Sequence, residues 1–287
     1  MSWSFEFLND FALYRENNSG PMHNNYTYKY ALPFEHVDHP VELTINLQNN
    51  WYHSITISVI YFAVIKILQL IMRNRQPFKL RWLLIIWNVS LAIFSIVAFI
   101  RIFEDFLYTY FYKGVYQTLC YSVEPHDVAA FWSLSFAWSK IVELGDTLFI
   151  VLRKRPLIFL HYYHHAAVLV FTAHSGAQHA GAGRAFVIMN LLAHSLMYPY
   201  YACRAYGLKP PRYVAMTITT IQTLQMIAGV FISYCIYRIK TETNLPCQQT
   251  MGNLYLGFIL YLTFAALFIH FYAKTYFIKP RKLKKIE

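Results

Sequence analysis

Residues 82–100 read WLLIIWNVSLAIFSIVAFI, a run of 19 residues without a charged side chain. About 20 apolar residues in a helix are enough to cross the hydrocarbon core of a bilayer. Six more apolar runs lie between charged or turn-rich breaks, at 52–72, 128–152, 157–175, 185–205, 213–237 and 252–277. Because these runs are continuous and do not alternate, they favour helices over a β-barrel. The sequence therefore predicts an all-α polytopic membrane protein with seven transmembrane helices.

The composition of the chain supports this class. Of the 287 residues, 57% are hydrophobic and only 14% are charged, against roughly a quarter in ordinary soluble domains. These fractions exclude a disordered chain and argue against a water-soluble domain. The segment 102–120 is aromatic but contains acidic residues and a lysine, so we expect an interfacial helix or a loop there.

The net charge of +11 has two interpretations, a surface for polyanions such as nucleic acid or the topology signal of a membrane protein. With the N-terminus in the lumen, the predicted cytosolic loops and tail contain 16 Lys and Arg residues, and the lumenal side contains seven. Basic residues concentrate in cytosolic loops, so this distribution predicts a lumenal N-terminus and a cytosolic C-terminus. The chain then divides into a retained lumenal segment at 1–50, a membrane domain at 51–278 and a basic tail at 279–287.

Short motifs near both ends agree with this orientation. Glycosylation sequons begin at Asn17 and Asn25 in the predicted lumenal segment. Lys284 and Lys285 precede the last two residues, in a pattern similar to the dilysine retrieval signal of endoplasmic-reticulum membrane proteins. A basic tail that contacts anionic lipid is the alternative interpretation.

The four cysteines fall into two groups. Cys120 and Cys247 lie in predicted lumenal loops, where a disulfide would persist, and two free thiols are the alternative. Cys203 and Cys235 lie within predicted spans, where a cysteine acts as a small apolar side chain.

Four sets of polar side chains interrupt the later spans, with spacings of three or four residues that place each set on one helical face. The sets are Lys140, Glu143, Asp146 and Thr147; His161, His164 and His165; Asn190 and His194; and Thr219, Gln222 and Gln225. In the predicted orientation all four lie in the cytosolic half of the bundle. Polar groups inside spans are costly and usually face a cavity or the bundle interior, so we expect the sets to converge.

Each set also has a structural interpretation. Lys140 and Glu143 could form an ion pair that only holds helices together, and the glutamines could do the same by hydrogen bonding. We interpret His174, His179 and His270 as satisfied hydrogen bonders between helices.

Three histidines on one face, with His194 at similar depth, suggest either metal binding or acyl transfer. Membrane di-iron desaturases and hydroxylases use several histidine boxes, whereas this chain has a single box. No metal or other cofactor is therefore expected, although a metal-dependent desaturase or hydroxylase is kept as an alternative. A transporter or sensor that binds acyl-CoA without turnover is a second alternative.

The four sets together resemble the very-long-chain fatty acid elongases, the ELO family of 3-ketoacyl-CoA synthases. The resemblance lies in KIVELGDT at 140–147, HYYHH at 161–165, NLLAHSLMYPYY at 190–201 and TTIQTLQ at 219–225, in this order along the chain. The box resembles the branch that elongates saturated and monounsaturated chains, although Tyr162 stands where that branch has tryptophan.

This resemblance implies a condensing enzyme that joins a long-chain acyl-CoA to malonyl-CoA, giving a 3-oxoacyl-CoA two carbons longer, CO2 and free CoA. It implies a helix bundle that encloses an acyl tunnel in the endoplasmic-reticulum membrane. The expected functional partners are the ketoreductase, dehydratase and enoyl reductase of the same cycle. A homo-oligomer is left open, and no nucleic acid is expected as a partner.

Roles for the site residues follow as hypotheses. His164 is the expected nucleophile, and His161, His165 and His194 would set its tautomer, relay its proton or hold the thioester carbonyl. Asn190, Gln222 or Lys140 would stabilise an oxyanion, and Glu143 and Asp146 would position Lys140 or the histidines. The expected substrate-binding residues include cations for the CoA phosphates and further polar side chains, namely Arg153, Lys154, Arg155, Arg212, Thr219, Gln222, Gln225, Tyr198 and Tyr201. A ternary complex in which histidine is only a base is the rival mechanism.

Overall fold

The computed structural model describes residues 7–15 and 20–277, and within these ranges the chain is helical apart from loops and one isolated bridge between His23 and Ser122. The α-helices of seven or more residues in the described chain are α1 (Pro40–Asn50), α2 (His53–Met72), α3 (Arg81–Tyr108), α4 (Gly114–Cys120), α5 (Val128–Glu143), α6 (Gly145–Leu152), α7 (Phe159–Ala177), α8 (Gly183–Tyr206), α9 (Arg212–Glu242) and α10 (Met251–Tyr276). A π-helical turn, Thr109–Lys113, joins α3 to α4.

Helices cover all seven predicted spans, but in the described part of the chain only four helical stretches are long and apolar enough to cross a membrane. These are α2, the stretch Arg81–Cys120, α9 and α10. The predicted spans outside this group are the ones that form α5 to α8, which carry three of the four polar sets. The chain is thus a multi-pass membrane protein, and the number seven and the orientation stay predictions.

Two predicted segments differ in detail from the structure. The segment 102–120 continues α3 as helix and then forms the π-helical turn and α4. The span at 128–152 is interrupted at Leu144, where the backbone bonds Leu144 N to Ile141 O (3.2 Å) and Thr147 N to Leu144 O (3.3 Å) connect residues only three apart. Such tighter bonds break the α-helical ladder locally, and they separate α5 from α6.

Helix α7, which carries the histidine box, lies at the centre of the packing. It contacts α1, α2, α5 and α10, while the most extensive contacts join α3 to α8 and α9 to α10. Its apolar face packs Phe171 against Phe186 and Tyr261. The box is therefore held from several sides, which positions its side chains.

The segment before α2 packs onto the helices. His174 Nε2 bonds Leu8 O at 2.8 Å, and Gln48 on α1 donates to the carbonyls of Leu13 and Ala177 at 3.0 Å. The prediction for His174 as a satisfied hydrogen bonder is confirmed, and so is that for His179, which bonds Thr44. The same prediction is wrong for His270, which is exposed on α10 and has no hydrogen bond in the described chain, because its face of the helix has no neighbour.

A disulfide joins Cys120 at the end of α4 to Cys247 before α10. Gln248 N also donates to Cys120 O at 3.0 Å, and Gly181 N donates to Gln248 O at 2.7 Å. Three connecting segments are thus tied together at this end of the bundle. Cys203 and Cys235 are free and half-buried.

The two glycosylation sequons and the dilysine pair near the ends of the chain fall only partly within the residues that the structure describes. Asn25 is exposed, as a glycosylation acceptor must be. Asn17, Lys284 and Lys285 lie outside the described residues.

Replacement of Gly229 by alanine should destabilise the bundle, although alanine is normally the better helix former. A Cβ at Gly229 on α9 would overlap the ring of Tyr261 on α10, whereas a Cβ at Gly183 meets no atom within 4 Å. Overpacking typically costs about 1–3 kcal/mol, so Gly229→Ala should lower the Tm in detergent by several degrees. Gly183→Ala is the matched control, and equal Tm values for the two variants would contradict the packing described.

Acid should weaken the attachment of Glu35 to the helices. Burial raises the pKa of this carboxyl, but hydrogen bonds from Arg101, Leu32 N and Trp132 outweigh that effect and lower the pKa below its usual value. The contribution to stability is therefore present above the ordinary glutamate pKa and is lost as pH falls through the lowered one. The Tm difference between the native chain and Glu35→Gln should be largest near neutral pH and shrink in acid, and a constant difference would disprove this linkage.

Candidate active site

The four polar sets meet around one cavity of about 630 Å³, which we call the active-site cavity. Its walls come from α3 and from α6 to α10. The predicted site residues that line it are Asp146, Arg153, Arg155, His161, His164, His165, Asn190, His194, Tyr198, Tyr201, Gln222 and Gln225. The expected convergence is thus observed for most of the predicted residues.

Lys140 and Glu143 lie directly behind the cavity wall. The Lys140 side chain is 3% exposed, and its Nζ donates to Glu143 Oε1 at 2.8 Å and to Asn190 Oδ1 at 2.8 Å. Glu143 Oε1 also accepts from Ser139 and lies 3.7 Å from His194 Nδ1. An ammonium only donates, so it fixes the oxygen of the Asn190 amide toward itself. Asn190 lines the cavity, and its NH2 has no described partner.

Asp146 has different partners from those expected. Its two oxygens accept from Trp87 Nε1 at 2.6 Å and from Tyr198 OH at 2.9 Å, so it positions an indole and a phenol and not Lys140 or a histidine. The Tyr198 ring in turn meets His194 edge-on, with centroids 5.2 Å apart. Gly145 makes room for this arrangement, because a Cβ there would come within 2.6 Å of the Trp87 ring.

The histidines of the box have different surroundings. His161 Nε2 bonds Thr147 Oγ1 at 3.0 Å, and that hydroxyl bonds Tyr61 OH at 2.5 Å. His164 and His165 form no hydrogen bond in the described chain, and Nδ1 of His164 is buried. The His164 ring packs against Phe264, with centroids 4.8 Å apart.

A second, apolar cavity of about 60 Å³ continues from the first and shares with it His164, Asn190, Gln225 and Met226. Phe171, Phe186 and Phe264 supply much of its wall. Of the three histidines in the box, His164 alone lines both cavities. This ring thus lies where a polar space meets an apolar one.

The predicted cations divide into two groups. Arg153 and Arg155 line the active-site cavity. Lys154 does not, because its Nζ donates to the carbonyls of Arg73 and Arg75. Arg212 donates to Tyr276 O at 3.2 Å and lies outside the cavity wall.

Thr219 lies with Arg212 at the same end of α9. Its hydroxyl donates to Ala215 O and contacts Tyr276 OH at 3.2 Å, and it does not line the cavity. Gln222 donates to Met197 Sδ at 3.3 Å, and Gln225 has a buried Oε1 without a partner in the described chain.

Several residues of the site were not predicted from the sequence. Arg204 lines the active-site cavity together with Arg153 and Arg155, and its position at the end of a predicted span could have indicated it. Trp87 on α3 holds Asp146 and Tyr61 on α2 holds Thr147, but both lie outside any polar pattern. No sequence signal identifies them.

In the described ranges, no three His, Cys, Asp or Glu side chains are arranged to hold a metal ion. The arrangement offers an imidazole without a partner, an amide donor and nearby arginines.

The amino-acid sequence matches a known protein family and several of its members. The ELO family model, described as the GNS1/SUR4 family, matches residues 46–285. The chain is 57% identical over 278 residues to "Putative fatty acid elongase 4" of Caenorhabditis elegans, which covers 97% of this chain and 95% of that protein. It is 41% identical over 232 residues to "Very long chain fatty acid elongase 3" of Homo sapiens, with 80% of this chain and 85% of the relative covered.

Loss of the Thr147 hydroxyl should release the ring of His161. In Thr147→Val the His161 Nε2 loses its hydrogen bond, whereas Thr147→Ser keeps it. Nitrogen NMR of labelled histidine should report a changed tautomer balance for His161 in the valine variant and a native balance in the serine variant. Identical spectra for all three proteins would contradict the observed contact.

Proposed function

The chain belongs to the ELO family, and from this membership and the site we propose that it condenses a long-chain acyl-CoA with malonyl-CoA in fatty acid elongation. The product would be a 3-oxoacyl-CoA two carbons longer, released with CO2 and free CoA. The observation that carries the proposal is the position of His164, whose ring lines both the polar active-site cavity and the apolar cavity. A thioester has the same division, with a polar CoA on one side of the reacting carbonyl and an apolar chain on the other.

The first half-reaction transfers the acyl group to His164. A nitrogen of the neutral imidazole attacks the thioester carbonyl, the carbon–sulfur bond breaks, and the imidazole proton leaves with the CoA thiolate as a thiol. The His164 ring forms no hydrogen bond with a described residue. No hydrogen bond therefore has to break before its nitrogen attacks. His161, His165 and His194 line the same cavity and would relay the proton.

The second half-reaction forms the new carbon–carbon bond. Malonyl-CoA loses CO2, and the electron pair of the broken bond forms the thioester enolate. The enolate carbon attacks the acyl-imidazole, the bond to His164 breaks, and the released imidazole nitrogen takes up one proton. Overall one proton is consumed for each CO2 released.

Asn190 is suited to stabilise the oxyanions of both steps. Lys140 holds its Oδ1 and Asn190 lines the cavity, so the NH2 is left free to donate to a substrate oxygen. Preorganised donors of this kind are typically worth about 10²–10³ in rate. Lys140 acts through Asn190 and Glu143, which makes it a positioning residue and not a direct oxyanion donor.

The CoA phosphates would be bound by the arginines of the cavity. Arg153, Arg155 and Arg204 line it, and guanidinium groups bind phosphate through paired hydrogen bonds. Lys154, Arg212 and Thr219 have partners elsewhere, so we no longer assign them to the substrate. Tyr198 and Tyr201 also line the cavity.

The cellular setting follows from the same proposal. The enzyme would act in the endoplasmic-reticulum membrane with a ketoreductase, a dehydratase and an enoyl reductase that process its product. Each of these reactions is required before the chain can return for another condensation.

The decisive experiment uses the purified protein with palmitoyl-CoA alone and then with malonyl-CoA added. Intact-mass spectrometry should show a hydroxylamine-sensitive palmitoyl adduct before malonyl-CoA is added, and 3-oxostearoyl-CoA should form afterwards. His164→Ala should lose the adduct and lower product formation by about a thousandfold or more.

His270→Ala is the matched control, because His270 is exposed and lies outside the site. It should retain adduct and product. Product formation by His164→Ala at a native rate would refute the nucleophile and favour the ternary complex. Absence of any lengthened product from the native protein would refute the condensing enzyme and favour an acyl-CoA transporter or sensor.

A further inference from the structure

Beyond the apolar cavity lies a third space of about 170 Å³, which we call the distal chamber. It shares Phe136, Thr172, Ser175, Gly183 and Val187 with the apolar cavity, so the two are neighbours. Its outer wall is formed by α1 and by the loop between α7 and α8. The three cavities therefore follow one another along α7, starting from His164.

The position of the chamber defines which part of a substrate can reach it. Thr172 follows His164 by eight residues on α7, which corresponds to about 12 Å along a helix. If the acyl carbonyl is at His164, as the proposed function requires, only the far end of the acyl chain extends to this depth.

An apolar lining would suit a hydrocarbon end, but the chamber contains hydroxyl groups without partners. A helical serine or threonine often donates its hydroxyl to the carbonyl four residues earlier, as Thr44, Ser58 and Thr118 do in this structure. Ser133 and Thr172 line the chamber and form no hydrogen bond with any described residue. Both are half-buried, so their hydroxyls remain available to a ligand.

His179 adds an acceptor to the same wall. Thr44 Oγ1 donates to Pro40 O, so it accepts from His179 Nε2 at 2.7 Å. Burial lowers the pKa of His179 to about 4, which keeps the imidazole neutral near pH 7. With its proton on Nε2, the ring leaves Nδ1 as an acceptor that has no described partner.

The charges around the chamber favour a neutral ligand over an anionic one. Arg184 lines the chamber, but its guanidinium pairs with Asp105 at 2.6 Å and donates to Ser122 O at 3.0 Å. Nη1 of Arg184 has no described partner, but the pair has no net charge, so the charge of a bound carboxylate would stay unbalanced. A neutral group that both donates and accepts, such as a hydroxyl, matches Ser133, Thr172 and His179.

We propose that the distal chamber binds a hydroxyl group at the far end of the acyl chain, so that the enzyme prefers ω-hydroxyacyl-CoAs of matching length. This inference rests on the proposed condensing function. A plain chain of the same length would leave the chamber groups unpaired, and sites built for a hydroxyl discriminate against analogues that lack it.

The test compares acyl-CoAs from lauroyl to stearoyl, each with and without an ω-hydroxyl, as substrates of the full-length protein with malonyl-CoA. At the length whose end reaches the chamber, kcat/KM for the hydroxylated chain should exceed that for the plain chain. The double variant Ser133→Ala, Thr172→Val should lower this ratio by about three- to tenfold, as expected for loss of one or two hydrogen bonds. The double variant should still elongate plain chains, which shows that it folds.

Thr118→Val is the control, because its hydroxyl is bonded within α4 and does not line the chamber. It should leave the ratio unchanged. Preference for the plain chain at every length, or an unchanged ratio in the double variant, would overturn the chamber assignment while leaving the condensing function intact. Failure to elongate either kind of chain would overturn the proposed function and this assignment with it.

Discussion

The ammonium of Lys140 is buried between α5 and α8, and its bonds to Glu143 and Asn190 hold the centre of the site together. A buried charge is tolerated only when it is paired and hydrogen-bonded. Glu143 lies on the same helix as Lys140, whereas Asn190 lies on α8, so moving either helix against the other would remove Asn190 as a partner of the ammonium. The same bonds orient the Asn190 amide and bring Glu143 near His194, so the positions of the reactive groups depend on this one pair.

Around this pair the bundle separates a polar space from an apolar one. Arginines line the first, phenylalanines line the second, and His164 belongs to both. An amphipathic thioester would be oriented by this division before any chemistry takes place, because each end of the molecule is excluded from the opposite side. Orientation of this kind can account for a large part of an enzyme's rate enhancement.

Much of this arrangement could be predicted from the sequence. Spacings of three and four residues place Lys140 with Glu143, and His161 with His164, on common faces, and the apolar runs define the helices that carry them. The partners of Asp146 and Thr147 could not be predicted, because Trp87 and Tyr61 are distant in sequence and lie in apolar stretches. Arg204 and Arg212 look alike in the sequence, and only the packing of α9 on α10 decides that Arg212 bonds Tyr276.

The central claim is that this site releases CO2 from malonyl-CoA only to form a carbon–carbon bond. The most direct measurement is release of labelled CO2 from carboxyl-labelled malonyl-CoA by the purified protein, with and without a long-chain acyl-CoA. We predict release that requires the acyl-CoA and equals, molecule for molecule, the acyl-CoA consumed. No release, or release that does not depend on the acyl-CoA, would contradict the account.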